Sequence, residues 1–73
     1  MIAGLVLLAI GGLAAGTFLN LMIAHHQSGI EMAGLAYYNA EHQELMDLAN
    51  VIESSHTAEI EQMKDWLTAW YGL

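Results

Sequence analysis

Three residue types are scarce or absent in this chain of 73 residues, and each absence excludes something. There is no cysteine, so disulfide bonds and thiolate metal ligands are excluded. There is no proline, which favours long uninterrupted helices. Basic side chains are almost missing, since Lys64 is the only one against eight carboxylates. Because such an acidic chain repels a phosphate backbone, we expect no nucleic-acid partner.

The N-terminal part of the chain is apolar. Residues 1–30 carry no charged side chain, and within residues 1–24 only Thr17 and Asn20 are polar. As a helix this segment extends about 36 Å, enough to cross a bilayer core. The segment therefore predicts a transmembrane anchor, and the alternative is a helix buried on all sides in an oligomer or filament. Gly12 and Gly16 have the spacing that allows close helix–helix approach in lipid.

The surroundings of this segment give little further guidance. A cleaved secretory signal is disfavoured because there is no basic stretch before the apolar run. Without Lys or Arg near either end of the segment the orientation is undetermined, and we place the acidic C-terminal half on the periplasmic or extracellular side by analogy alone. A chain this small buries little surface, so a homo-oligomer, a larger assembly, a metal or a membrane is expected to stabilise it.

Two helical patterns follow the apolar start. The first has residues at alternating spacings of four and three, typical of one helix face: Phe18, Met22, His25, Gly29, Met32 and Ala36. The second continues to about Tyr71: Leu45, Leu48, Ile52, His56, Glu59 or Ile60, Met63, Leu67 and Trp70. Asn39 suits the end of the first helix, Glu41 and Glu44 suit the first turn of the second, and Gly72 suits its end.

The predicted fold is all-α, with two long helices in an antiparallel hairpin that completes a bundle by oligomerisation. Residues 1–16 are the apolar anchor or assembly segment, and residues 17–73 are the metal-binding hairpin. If the second helix packs along its whole length, its last turns lie beside residues 10–14. Fewer than about 16 residues then remain for a membrane span, so either this helix splays away near its end or the apolar helix is buried in protein.

Histidines from both helices are expected to meet in this hairpin. Folding the chain about residue 41 brings His25 and His26 opposite His56, with Met22 and Met63 within about one turn. Adjacent histidines point about 100° apart on a helix, so one faces the interface and the other its flank or a neighbouring subunit. Imidazole with thioether is a ligand set for copper, and imidazole also accepts zinc. The cluster therefore predicts a copper site, with zinc as the less favoured metal.

A di-iron centre is the alternative metal site. Glu53 and His56 have the Glu-x-x-His spacing of carboxylate-bridged di-iron bundles. One copy of the motif is insufficient, so only a dimer completes such a centre, with Glu31 or Glu59 as the further acids. A single histidine on a helix is more often an ordinary half-buried residue, and only the clustering favours a metal.

Other functional patterns are weaker. His42 and Met46 also stand four residues apart, but near the turn a solvated surface pair is the simpler interpretation. No serine has an evident base beside it, and no glycine-rich loop for phosphate is present. We therefore predict that the protein is not an enzyme.

Two stretches carry a resemblance to a known family. "FLNLMIAHHQSGIEMA" and, after a short turn, "HQELMDLANVIESSHTAEIEQMKDWL" resemble the bacterial family called domain of unknown function 305, over about residues 17–71. Members include periplasmic copper-binding proteins with ferritin-like helical bundles. The resemblance implies metal handling, chiefly of copper, by Met22, His25, His26, Met32 and Met63.

The chain departs from the family pattern at several positions. Thr17 replaces an acid, Ala24 replaces a proline before the histidine pair, and His56 replaces a glutamine, so the role of His56 depends on the hairpin geometry alone. The methionine-rich extensions of many relatives are missing, which argues against copper storage at high capacity. The predicted function is copper binding or homeostasis by a membrane-anchored hairpin. The alternative is a structural subunit that packs into a membrane complex or filament through residues 1–24.

Overall fold

Two α-helices account for almost the whole chain. The computed structural model describes the backbone of residues 2–73 and the side chains of residues 13–73. Helix α1 comprises Ile2–Asn39 and helix α2 comprises Gln43–Tyr71, and the two pack against each other. The predicted all-α hairpin is therefore confirmed.

The helix ends follow local chemistry. Asn39 ends α1, and its side-chain amide donates a 2.8 Å hydrogen bond to the carbonyl of Leu35. Residue His42 is the N-cap of α2, and Glu44 lies in the first turn, where a negative charge favours the helix dipole. Gly72 has φ 70°, a left-handed conformation that glycine adopts without a Cβ clash, and it ends α2 as predicted.

The core lies in the half of the hairpin that is distant from the turn. Leu19 of α1 and three residues of α2 form its buried centre: Ile60, Met63 and Leu67. Nearer the turn the buried apolar residues are the small Ala33 and Ala49. Among the described side chains none is less than 2% exposed, so the two helices alone enclose a thin core.

The contact face of α1 differs from the predicted one. The side chains that α1 buries are Leu19, His26 and Ala33, each one residue after a member of the predicted stripe. Phe18 and Met32 of that stripe are 59% and 68% exposed. The apolar pattern of α1 is broader than the surface a single partner helix covers, so spacing alone could not select the buried residues.

The predicted stripe of α2 is confirmed in part. Ile60, Met63 and Leu67 are buried, and His56 is half-buried. Leu48 and Trp70 instead remain 53% and 60% exposed. As on α1, the apolar pattern extends beyond the helix–helix contact to one side.

The last turn of α2 does not separate from α1. A Cβ built on Gly16 would lie 4.0 Å from Cδ2 of Tyr71, so the two helices are still in contact at this level. A span that includes residues 17–24 would require these turns to separate, because α2 lies against α1 at this level. In the part of the chain that the structure describes, no helix combines the length and the apolar character needed to cross a membrane. Residues 1–12 of the predicted anchor lie outside the described side chains.

Candidate metal centre

A groove crosses the helix interface at the level of the histidines. It has a volume of about 280 Å³ and receives side chains from both helices. The following residues line it: Phe18, Met22, His26, Glu59, Gln62, Met63 and Trp66. Four of the predicted metal ligands, two thioethers, one imidazole and one carboxylate, therefore share a single surface.

His26 is the buried histidine of the adjacent pair. It is 7% exposed, and its Nδ1 lies 2.8 Å from the carbonyl oxygen of Met22, one turn earlier on α1. A carbonyl oxygen only accepts, so Nδ1 carries the hydrogen and donates it. Metal-binding histidines commonly hold their second ring nitrogen in this way, which fixes the ring and leaves Nε2 as the ligating atom.

The carboxylate of Glu59 already pairs with that nitrogen, and because Nδ1 donates to the carbonyl of Met22, a second hydrogen lies between Nε2 and the carboxylate and must leave before a metal binds. Its Oε2 lies 2.6 Å from Nε2 of His26, and the side chain of Glu59 is 52% exposed while that of His26 is 9% exposed. A metal ion bound to Nε2 must therefore displace this contact or take the carboxylate as a further ligand. Because Glu59 has solvent on its other side, it can move aside without leaving a buried charge.

His56 packs behind His26. The two ring centroids are 4.7 Å apart with 40° between the ring planes. Nδ1 of His56 is buried and finds no hydrogen-bond partner among the described residues, whereas buried polar atoms are usually paired. The predicted meeting of His26 with His56 is thus present, although His56 is not among the residues that line the groove.

The position of His56 depends on Gly29. A Cβ at Gly29 would lie 3.0 Å from Cδ2 and 3.2 Å from Nε2 of His56, closer than ordinary van der Waals contact. A Cβ at Gly34, one and a half turns later, would meet nothing within 4 Å. The glycine of the family-like stretch therefore makes room for the second imidazole.

These two glycines give a matched test. Gly34→Ala is expected to raise the free energy of unfolding by about 0.5–1 kcal/mol, the usual difference in helix propensity. Gly29→Ala is expected to be less favourable than Gly34→Ala by on the order of 1 kcal/mol, because the ring of His56 must shift. Urea unfolding of both variants measures the difference, and the histidine ring resonances report the shift. Equal stabilities with unchanged ring resonances would show that Gly29 does not position His56.

The remaining predicted ligands lie outside the groove. His25 is exposed, and its ring centroid is 6.1 Å from that of His26, so it occupies the flank as predicted for one member of the pair. Met32 is 68% exposed and is not part of the groove lining. The structure brings together Met22, His26, Glu59 and Met63, with His56 behind them, and does not bring Met32 to them.

The donor types decide which metal the groove fits. Within the described residues, no three side chains of the His, Cys, Asp or Glu type are arranged to hold an ion. Structural zinc usually takes four such ligands, and a di-iron centre takes several carboxylates. Further donors here are the thioethers of Met22 and Met63, which favour Cu(I). This mixed set of thioether, imidazole and carboxylate donors in the groove lining is one that fits copper.

Two residues of the groove, Gln62 and Trp66, were not placed on a ligand-bearing face from the sequence, whereas Phe18 was. Phe18 and Trp66 form its apolar walls, and Gln62 adds a polar side chain one turn from Glu59. The spacing of Gln62 from Glu59 and of Trp66 from Gln62 was a usable signal, because residues three and four apart share a helix face. Nδ1 of His26 bonds to a main-chain oxygen, and because every residue has one, this contact cannot be predicted from the residue types.

Comparison with known proteins defines the class of this hairpin. The family model described as "Domain of unknown function (DUF305)" matches residues 16–73, which is the hairpin with both candidate ligand stretches. The chain therefore belongs to this family, as the two quoted stretches indicated. No curated protein and no solved structure matches the chain.

Proposed function

We propose that this protein binds copper, in the Cu(I) state, at the groove between its helices. Nε2 of His26 is the central ligand, and the thioethers of Met22 and Met63 are its partners. The observation that supports the proposal most is the orientation of His26. Its Nδ1 is fixed on the carbonyl of Met22, while Nε2 is turned toward Glu59 in a groove that both methionines line.

Each residue has a separate task in binding. Met22 and Met63 supply soft donors from different helices, so a bound ion joins α1 to α2. Glu59 leaves Nε2 or joins the ion, and its carboxylate offsets positive charge. His56 supports the ring of His26 from behind. The proposed role is binding without catalysis, and it adds binding free energy to a thin core.

Copper content and sulfur dependence test the proposal. The full chain is loaded with Cu(I) under reducing conditions and titrated against a chromogenic Cu(I) chelator. Met22→Leu with Met63→Leu conserves volume, so the fold is retained while both sulfur atoms are lost. We expect Cu(I) affinity to fall at least about tenfold and zinc affinity to change little, because only copper prefers thioether.

The control replaces methionines outside the groove. Met32→Leu together with Met46→Leu removes the same number of sulfur atoms from an exposed and a half-buried position and should leave Cu(I) affinity unchanged. Equal losses in both double variants, or no measurable Cu(I) binding by the unaltered chain, would contradict a copper site in this groove.

Membrane attachment through the apolar residues 1–16 and exposure of the acidic half outside the cytoplasm are part of the same proposal. The support is the absence of charge from residues 1–30. We expect the full chain to sediment with membranes, to resist extraction by salt and to be released by a non-ionic detergent. Recovery in the soluble fraction as a large metal-independent assembly would instead favour the structural subunit.

A further inference from the structure

One side of the hairpin is apolar and uncovered. Phe18, Met22 and Trp66 line the same groove, so the flanks of α1 and α2 that carry them lie on one side of the molecule. Residues seven apart share a flank of a helix, which places Met32 with Phe18, and Ile52 with Glu59 and Trp66. We call this side the open face and define it by six residues: Phe18, Met22, Met32, Leu48, Ile52 and Trp66.

Large side chains of the open face are in solvent. Phe18, Met32 and Leu48 are 59%, 68% and 53% exposed. The open-face flank of each helix has almost no charge. The flank of α1 comprises six residues: Phe18, Met22, His25, Gly29, Met32 and Ala36. The flank of α2 also comprises six: Leu48, Ile52, Ser55, Glu59, Gln62 and Trp66. Its one charged residue, Glu59, faces inward to His26.

The size of the open face matches a protein–protein interface. The 29 residues of α2 extend about 43 Å, and the hairpin is 18 Å across. The projected footprint of this side is about 770 Å², of the same order as the roughly 800 Å² of accessible surface that each partner contributes to a stable complex. Because the hairpin has no described side chain below 2% exposure, it needs such a covering layer to form a full core.

Charge decides what covers the open face. Helices that lie on a membrane surface usually carry Lys and Arg on their polar side. This chain has only Lys64, whose Nζ is 3.9 Å from Glu61, against eight acids. An identical hairpin presents an equally apolar surface. We infer that a second copy of this chain packs on the open face and completes a four-helix bundle.

The position of the groove fixes the geometry of this dimer. The paired part of the hairpin runs from the contact of Gly16 with Tyr71 to the turn, and His26 with His56 lies near its middle. Two copies overlap along their whole length when the twofold axis crosses this level, which makes the contact isologous. The two grooves then face each other at the centre of the dimer. His25, which stands on the same flank, lies close to its counterpart. The role of this arrangement in metal binding depends on the proposed function, but the dimer itself does not.

Sedimentation equilibrium of the full chain in density-matched detergent and EDTA tests the dimer. The unaltered chain should have the mass of two copies. Met32→Glu with Leu48→Glu should weaken self-association at least about tenfold. The reason is that each copy would bring two carboxylates, four in all, into an apolar interface. Leu35→Glu with Asn50→Glu is the control: both residues are exposed and lie away from the flanks that form the open face. Far-UV circular dichroism should show unchanged helix content in both double variants.

Cross-linking tests the axis. Because the chain has no cysteine, a single introduced one gives an unambiguous product. His25→Cys should form an intermolecular disulfide on mild oxidation, and Leu35→Cys should not. A monomeric unaltered chain, or association that survives the open-face variant, would overturn the inference. Copper binding by a monomer would reject the dimer alone, and a dimer without copper would reject the proposed function alone.

Discussion

We expect His26→Ala to abolish copper binding, with a loss of Cu(I) affinity of at least about 100-fold. Replacing residues that only orient a metal ligand costs roughly 10–100-fold, and His26 is proposed as a ligand itself. Its Nε2 is the one imidazole nitrogen that the described structure turns into the groove with its ring already fixed. Competition with a chromogenic Cu(I) chelator measures the loss.

Two further variants separate loss of the ligand from loss of the fold. His26→Phe keeps a ring in the buried position and removes both nitrogens, so copper binding should be lost while helix content is retained. His42→Ala removes an exposed histidine at the start of α2 and should bind copper normally. Copper affinity that persists in His26→Phe would show that the ion binds elsewhere.

Leu67→Ala should have the largest effect on stability. Leu67 is 6% exposed in the buried cluster of Leu19, Ile60 and Met63 that joins the helices, and truncation of a core leucine costs about 2–5 kcal/mol. At about 0.05–0.15 kcal/mol per residue a chain of 73 residues has roughly 4–11 kcal/mol in total. The variant should therefore be close to unfolding at room temperature, as urea denaturation at fixed chain concentration would show.

Leu35→Ala is the control for that loss. Leu35 is on the same hairpin but is 68% exposed and lies on neither the helix contact nor the open face. Its truncation should change the free energy of unfolding by no more than about 0.5 kcal/mol. Similar losses in both variants would mean that the buried cluster does not hold the helices together.

The sequence by itself determined the helices and their ends. A chain without proline, with helix-favouring residues on both sides of one short polar stretch, forms two helices. Asn39 and Gly72 mark their ends because a polar amide and a residue free of Cβ satisfy helix termini. Folding about the turn also brought His26 to His56, because antiparallel helices have equal rise and the register follows from distance to the turn.

Only the tertiary structure decided which of the adjacent histidines faces inward and which apolar residues are buried. The sequence allowed either His25 or His26, and it placed Phe18 and Met32 on the stripe that the structure leaves exposed. The physical reason is that both helices are apolar over a wider arc than one partner helix can cover. The rotation of each helix about its axis is then set by individual side-chain contacts, such as the ring of His56 on Gly29 and the contact of His26 with Glu59. The spacing of residues in the sequence does not predict these contacts.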